Sequence, residues 1–145
     1  MKVSPLHYDI YLRIDPRVED FEGHVKILVE AKEEIDEIVL NSLELDIKEC
    51  KAVKNGRIIS CRFEVKEDEL KVKLGERLSG SFILEIGFTG KLSDKMVGLY
   101  RSKWEKGYIA VTQLEETHAR RAFPCFDHPR FRATFEVTLE VPEFF

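Results

Sequence analysis

The sequence of 145 residues lacks the signatures of several protein classes. No apolar run approaches the length of a membrane-spanning helix, and residues 1–5 lack the apolar stretch of a signal peptide. The three cysteines are widely spaced and form no C-x-x-C pair, so a disulfide framework is not expected. This cysteine usage favours a reducing compartment, and we predict a cytoplasmic protein with no membrane partner.

Catalytic signatures are missing as well. The sequence has no G-x-S-x-G nucleophile motif and no glycine-rich phosphate loop. The 27 acidic and 23 basic residues nearly balance, so no nucleic-acid partner is expected. No two histidines stand four residues apart, which is the spacing of a helical zinc site. The four histidines are His7, His24, His118 and His128.

What the sequence does contain is alternation of apolar and polar residues, the period of a β-strand. Three long runs show it, at 21–31, 82–88 and 131–141, and each is expected to bury its apolar face. Shorter strand candidates lie at 8–14, 37–40, 45–53, 58–65, 70–74 and 108–113.

Turn residues separate these runs. Asn55-Gly56 between two candidates predicts a tight hairpin, because both residues tolerate positive φ. Gly75 and Gly80 predict further breaks, and residues 116–122 a short helical turn ended by Pro124. About ten short strands in one domain, residues 1–145, predict an all-β fold, a twisted antiparallel two-sheet sandwich.

One segment stands apart from this pattern. Residues 112–129 read T-Q-L-E-E-T-H-A-R-R-A-F-P-C-F-D-H-P. They closely resemble the segment T-Q-F-E-x-T-x-A-R-R-A-F-P-C-F-D-E-P of the zinc aminopeptidases in the aminopeptidase N, puromycin-sensitive and leukotriene hydrolase family. Further likenesses run in the family's order from about residue 5 to residue 142. They are residues 7–12 to H-Y-D-L-x-L, residues 21–25 to F-x-G-x-V, residues 39–45 to the last seven positions of I-x-L-N-x-x-E-L, and residues 98–102 to G-F-Y-R-S.

The resemblance implies the saddle-like N-terminal β domain of an enzyme that removes N-terminal amino acids from peptides. Glu115 is implied to reach into the active site of the next domain and bind the substrate's α-ammonium group, with Gln113 lining the same pocket. A cation with three N–H donors suits a partly desolvated carboxylate. Family members often hold the peptide bond after this glutamate in the cis form, so a cis Glu115–Glu116 bond is expected.

Arg120, Arg121 and Asp127 are interpreted as structural supports of the loop that carries Glu115. Adjacent arginines can form bidentate ion pairs with a carboxylate and so fix an irregular segment. Recognition of a phosphate by the arginines is the alternative, although nothing else in the sequence supports a phosphate site. Residues 123–126 are expected to form an apolar plug beneath the loop.

Cys125 lies between two apolar residues, which favours core packing. Two other roles can be drawn from neighbouring residues. Cys125 could pair with His128 as a nucleophile and base, or join His118, Asp127 and His128 in a metal site. The spacing of these four residues matches no common ligand pattern.

The chain departs from the family pattern at Leu114, Glu116, His118 and His128. The last two replace acids, which puts ion pairs at those positions in doubt. The motifs G-x-M-E-N and H-E-x-x-H, which belong to the family's following domain, do not occur. We therefore predict no catalytic residue and no metal ligand on this chain. We expect the chain to be inactive alone and zinc to be a cofactor of the full-length enzyme only.

The expected partners are a peptide N-terminus and a catalytic zinc domain, in the same polypeptide or as a separate chain. The alternative is a short stand-alone β-sandwich module that binds peptide N-termini or a separate catalytic chain. Residues 141–145 resemble the start of a connection. Their two terminal phenylalanines are expected to be covered by another segment or to pack back on this domain.

Overall fold

The computed structural model describes residues 2–92, 98–104, 107–113, 119–126 and 132–142. Strands dominate these residues, which confirms the all-β prediction. Among them there is no helix with the length and apolarity to cross a bilayer. The described elements are β1 (Val3–Arg13), β2 (Asp20–Asn41), β3 (Leu45–Lys54), β4 (Arg57–Lys66), β5 (Glu69–Lys91), β6 (Gly98–Trp104), β7 (Gly107–Gln113), a 3₁₀ turn (Ala119–Arg121) and β8 (Thr134–Glu140).

Six strands form one sheet in the order β3-β4-β5-β2-β1-β8, and β6 pairs with β7 in a separate two-stranded sheet. The β1–β8 pair is parallel, whereas the other pairs are antiparallel. The large sheet is therefore mixed: its pairs are antiparallel, as predicted, except at this edge. Short connections join the antiparallel pairs that are consecutive in the chain, such as β3–β4 and β4–β5. β8 reaches β1 after all the other strands, so no tight turn dictates its direction.

β2 and β5 are 22 and 23 residues long, and each merges two of the predicted strands. Residues 21–31 continue into 37–40, and residues 70–74 continue into 82–88. The pairing of β2 with β5 shifts register between Ala31 and Glu37. Such irregularities bend a strand without ending it, and the predicted breaks at Gly75 and Gly80 lie inside β5.

β3 and β4 pair with different halves of β5. Residues 45–53 of β3 pair with residues 83–90, and residues 61–66 of β4 pair with residues 69–74. β3 and β4 also pair with each other through Asn55-Gly56, whose φ angles of 52° and 77° confirm the predicted hairpin. Each of the three strands β3, β4 and β5 therefore pairs with both of the others. The buried side chains of both halves of β5 belong to one hydrophobic cluster.

Two cross-strand pairs of glycine and phenylalanine join β2 to β5. Gly23 faces Phe88, and Phe21 faces Gly90. A Cβ atom at Gly23 would lie 2.5 Å from the Phe88 ring, and one at Gly90 would lie 2.6 Å from the Phe21 ring. Each buried ring therefore occupies the space over a glycine, as in other sheets where an aromatic side chain covers a glycine. This packing explains the F-x-G spacing in the sequence.

The apolar side chains of β8 are exposed. Phe135, Val137 and Leu139 are 57%, 54% and 58% exposed. They stand in register with Tyr8, Ile10 and Leu12, which form the buried face of β1. The prediction of a buried face is therefore wrong for this run, because no described element covers the apolar layer where it continues onto β8.

Candidate functional site

The segment that resembles the aminopeptidase motif lies between β7 and β8. β7 ends at Gln113, whose backbone pairs with Gly98 of β6. Glu115, the Glu115–Glu116 peptide bond and Asp127 lie outside the described residues, so the predictions made for them stay predictions. Of the segment, the structure describes Thr112 and Gln113 at the end of β7 and residues 119–126, which begin with the 3₁₀ turn inside the predicted helical turn.

Arg120 and Arg121 each pair with an acidic residue in a connection between strands. Arg120 Nη1 donates to Asp68 in the β4–β5 turn, and Arg121 Nη1 donates to Glu44 Oε1 at 2.7 Å in the β2–β3 connection. The arginine side chains are 13% and 26% exposed, whereas those of Asp68 and Glu44 are 42% and 64% exposed. Each pair therefore joins a largely buried cation to a carboxylate that water can screen.

Backbone hydrogen bonds tie the same segment to the β2–β3 connection. Leu43 N–H donates to Arg120 O at 3.0 Å. Asn41 and Cys125 exchange two bonds, of 2.7 and 3.0 Å, in an isolated antiparallel bridge. Ser42 N–H donates to Asp68 O at 2.9 Å, which links the two connections to each other. The residues after the 3₁₀ turn are therefore fixed against the sheet by main-chain bonds as well as by ion pairs.

Residues 122–126 fill apolar space beneath the turn. Phe123, Cys125 and Phe126 are 6%, 3% and 7% exposed and belong to the hydrophobic cluster. Tyr8 joins them to β1, because its hydroxyl accepts the Phe126 N–H at 2.9 Å and its ring lies 6.0 Å from the Phe123 ring, edge to face. The predicted burial of residues 123–126 and the packing role of Cys125 are confirmed, whereas the position of the plug relative to Glu115 lies outside the described residues.

Sequence reasoning named both arginines but missed the residues they contact, and it missed Tyr8. Glu44 and Tyr8 stand in two of the segments that resemble the family, 39–45 and 7–12, and this was the available signal. Asp68 stands in no such segment. It follows Glu67, which has a positive φ of 54° in the short β4–β5 turn, and neither glycine nor proline marks that turn in the sequence.

The described histidines have local partners. His24 Nε2 lies 3.6 Å from Glu85 Oε1, and His7 Nδ1 hydrogen-bonds the Thr134 hydroxyl. Within the part of the chain that the structure describes, no three His, Cys, Asp or Glu side chains are grouped as a metal ion requires. His118, Asp127 and His128 lie outside that part, so the alternative of a metal site formed by these residues and Cys125 stays a prediction. The described residues do not fit a zinc site.

The fold and the contacts described above are those of an all-β protein. Its residues 119–126, between β7 and β8, are fixed against the β4–β5 turn and the β2–β3 connection. The model of the Peptidase M1 N-terminal domain family matches residues 4–145. The chain belongs to this family.

Several longer proteins are similar to the chain. Aminopeptidase 2, mitochondrial, of Saccharomyces cerevisiae is 38% identical over 94% of this chain and 15% of its own length. Leucyl aminopeptidase of Saccharolobus solfataricus is 40% identical over 92% of this chain and 16% of its own. Puromycin-sensitive aminopeptidase of Caenorhabditis elegans is 36% identical over 95% and 16%. The chain spans roughly one sixth of the length of these relatives.

Proposed function

We propose that this chain is the N-terminal substrate-recognition domain of a zinc-dependent aminopeptidase that removes N-terminal amino acids from peptides. The observation that carries the proposal is the family match over residues 4–145, supported by relatives that are named aminopeptidases. Zinc would be held outside this chain, because the described residues form no metal site and the sequence has no H-E-x-x-H. The chain alone is then inactive.

Glu115 and Gln113 are proposed to bind the free N-terminus of the peptide. Gln113 ends β7, and Glu115 follows two positions later, at the start of the segment that leads to the 3₁₀ turn. The α-ammonium group offers three N–H donors, and a carboxylate accepts them in strong charge-assisted hydrogen bonds. An acetylated N-terminus has no ammonium group and leaves the carboxylate without its cation, so selectivity for free N-termini is expected.

Arg120, Arg121 and Asp127 are proposed to hold the loop that carries Glu115. The loop would be limited on one side by the end of β7 and on the other by the 3₁₀ turn. The bonds of Arg120 and Arg121 to the β4–β5 turn and to the β2–β3 connection support this role. Asp127 directly follows the buried residues 122–126 in the sequence. Its carboxylate stands only a few positions after both arginines and is therefore proposed as an ion-pair partner for them.

The proposed partner on the protein side is a catalytic zinc domain, in the same polypeptide or as a separate chain. The exposed apolar row of β8 supports such a partner, because contiguous apolar surface marks a place where another surface packs. The proposed location is the cytoplasm, based on the odd number and wide spacing of the cysteines. The balanced charge argues against nucleic acid as a partner.

Substitutions in the aminopeptidase that contains this segment test the proposal. Glu115→Gln removes the charge and keeps the size of the side chain. It is expected to lower kcat/KM for aminoacyl p-nitroanilides roughly 10- to 150-fold, because one hydrogen bond to a charged group contributes about 1.5–3 kcal/mol. Glu116→Gln is the matched control, expected to stay close to wild type.

Two results contradict the proposal. An equal decrease in both variants would mean that negative charge in this segment, and not Glu115 itself, supports activity. Release of N-terminal amino acids by the isolated chain at a zinc-dependent rate would mean that the chain carries its own catalytic site.

A further inference from the structure

Two cysteines on neighbouring strands lie one position beyond the last pair of the β3–β4 hairpin. β3 and β4 pair outward from the turn of this hairpin as far as Lys51 opposite Ser60. Each further step lowers one residue number and raises the other, so the same register continued by one step places Cys50 opposite Cys61. In the sheet, Cys50 pairs with Ile86 and Cys61 pairs with Leu74, both on β5. Directly opposed residues of antiparallel strands point to the same side of the sheet. Both cysteines are free thiols.

The two thiols lie on the core side of the hairpin. Cys50 is 8% exposed, and Cys61 is partly buried against the hydrophobic cluster. Cβ atoms of opposed residues in antiparallel strands are about 4.5–5.5 Å apart, and a disulfide joins Cβ atoms about 3.5–4.5 Å apart. The two ranges meet at about 4.5 Å, so a small approach of β4 to β3 would bring the two side chains to the separation that a disulfide requires.

The surroundings make the two thiols unequal. The pKa of Cys61 is lowered, chiefly by a hydrogen bond from the Cys50 thiol and further by the N–H groups of Ala52 and Gly75. The pKa of Cys50 is raised, chiefly by the same hydrogen bond and further by burial. When protonated, Cys61 Sγ can donate to Ile59 O, 3.6 Å away. Cys61 is therefore the thiol that ionises first and that solvent reaches more easily.

We propose that Cys50 and Cys61 form an oxidisable dithiol, which a low-molecular-weight disulfide converts into a cross-strand disulfide. The Cys61 thiolate attacks one sulfur of the small disulfide, forms a mixed disulfide and expels the other half as a thiolate. Cys50 loses its proton, attacks Cys61 Sγ and expels the second half. Two electrons pass to the oxidant, and the two thiol protons end on the two released small thiols.

The position of the pair gives the reaction a structural consequence. At Cys61 the β4 strand leaves β3 and pairs with β5, where Cys61 stands opposite Leu74. A disulfide would join β3 to β4 at the point where the two strands part. In a reducing compartment both residues stay thiols, which agrees with the free cysteines of the structure.

Titration of the chain with oxidised glutathione tests the proposal. After the remaining thiols are alkylated in denaturant, peptide mapping is expected to show two of the three thiols lost. The map should contain one peptide that links Cys50 to Cys61, and dithiothreitol should reverse the change. Cys125→Ser is the matched control, because this buried cysteine lies elsewhere, and it is expected to oxidise as wild type does.

Two further variants separate the steps. Cys50→Ser is expected to accumulate a glutathione mixed disulfide at Cys61, whereas Cys61→Ser should leave the buried Cys50 unmodified. Circular dichroism checks that the variants fold, and the wild-type peptide map decides the question if one does not. The proposal is overturned if wild type keeps all three thiols, keeps a mixed disulfide at Cys61, or forms disulfides between chains.

Discussion

Replacing Tyr8 with phenylalanine is expected to weaken the attachment of residues 119–126 to the sheet. The change removes one oxygen atom and keeps the ring. That oxygen accepts the Phe126 backbone N–H at 2.9 Å, at a place where Tyr8 is 2% and Phe126 is 7% exposed. Water reaches this site poorly, so the substitution removes the hydroxyl acceptor of a buried donor.

The size of the effect follows from that donor. A buried polar group that loses its partner costs about 1–3 kcal/mol. The ring contacts of Tyr8, 6.0 Å from the Phe123 ring and 4.9 Å from the Phe135 ring between centroids, remain possible in the variant. The free energy of unfolding should therefore fall by about 1–3 kcal/mol, less than the 3–5 kcal/mol typical of removing a whole aromatic side chain.

Urea unfolding followed by circular dichroism measures the difference. Tyr11→Phe is the matched control, because Tyr11 lies on the same strand and its hydroxyl donates to Glu140 at an exposed position. The control should unfold at the wild-type urea concentration, and only Tyr8→Phe should accelerate hydrogen exchange at the Phe126 amide. Equal unfolding midpoints for the two variants, with unchanged exchange at Phe126, would refute the reasoning.

Three further predictions concern the sheet and its ion pairs. Gly23→Ala places a Cβ atom 2.5 Å from the opposed ring and should lower the free energy of unfolding by about 1–3 kcal/mol; a variant as stable as wild type in urea contradicts the packing of ring over glycine. Asp68→Asn removes the charged partner of Arg120 and should cost about 1 kcal/mol at low salt, with the loss shrinking at high salt; a loss that salt does not change points to a non-ionic cause. The pKa of Glu76 is lowered by a hydrogen bond from Arg57, so this pair stabilises the fold above the ordinary carboxyl pKa, and the contribution disappears as pH falls through the lowered value. The difference in urea midpoint between wild type and Arg57→Gln should therefore be present at pH 7 and absent at about pH 2, and a difference that persists in acid contradicts it.

The alternation of apolar and polar residues predicted where strands occur, but it did not predict where each strand begins and ends. The alternation at 21–31 and 82–88 identified residues that are buried on one face, and Asn55-Gly56 identified the hairpin. Glycines at 75 and 80 suggested breaks because an isolated glycine weakens a strand. They lie inside β5 because β2 on one side, and β3 and β4 on the other, continue the hydrogen-bond ladder past them. Such pairing between distant segments is not visible in a local window.

The alternation in β8 shows a second limit. A period of two tells which residues share a face, and Phe135, Val137 and Leu139 do share one. It does not tell what covers that face, because the covering surface comes from residues elsewhere. The direction of β8 was equally beyond reach, since only a tight hairpin reveals from sequence that two strands are antiparallel.

At the candidate site, the arginines were predictable and their contacts were not. Arg120 meets Asp68 across 52 positions and Arg121 meets Glu44 across 77, so no spacing rule connects them. The cysteine pair differs, because Cys50 and Cys61 each stand five positions outside the predicted hairpin turn. The same prediction that gave the hairpin could have placed these two thiols opposite each other.

Residues 119–126 make two kinds of contact: buried hydrogen bonds that stabilise the fold, and ion pairs that position the segment. The bridge between Asn41 and Cys125 and the bond from Phe126 to Tyr8 are buried, and buried hydrogen bonds are costly to break. The ion pairs of Arg120 and Arg121 end on carboxylates that water screens, so they add little to the free energy of unfolding. They do fix the direction in which the chain enters the plug. Under the proposed function, replacing these arginines should therefore disturb the placement of Glu115, and with it kcat/KM, more than it disturbs folding.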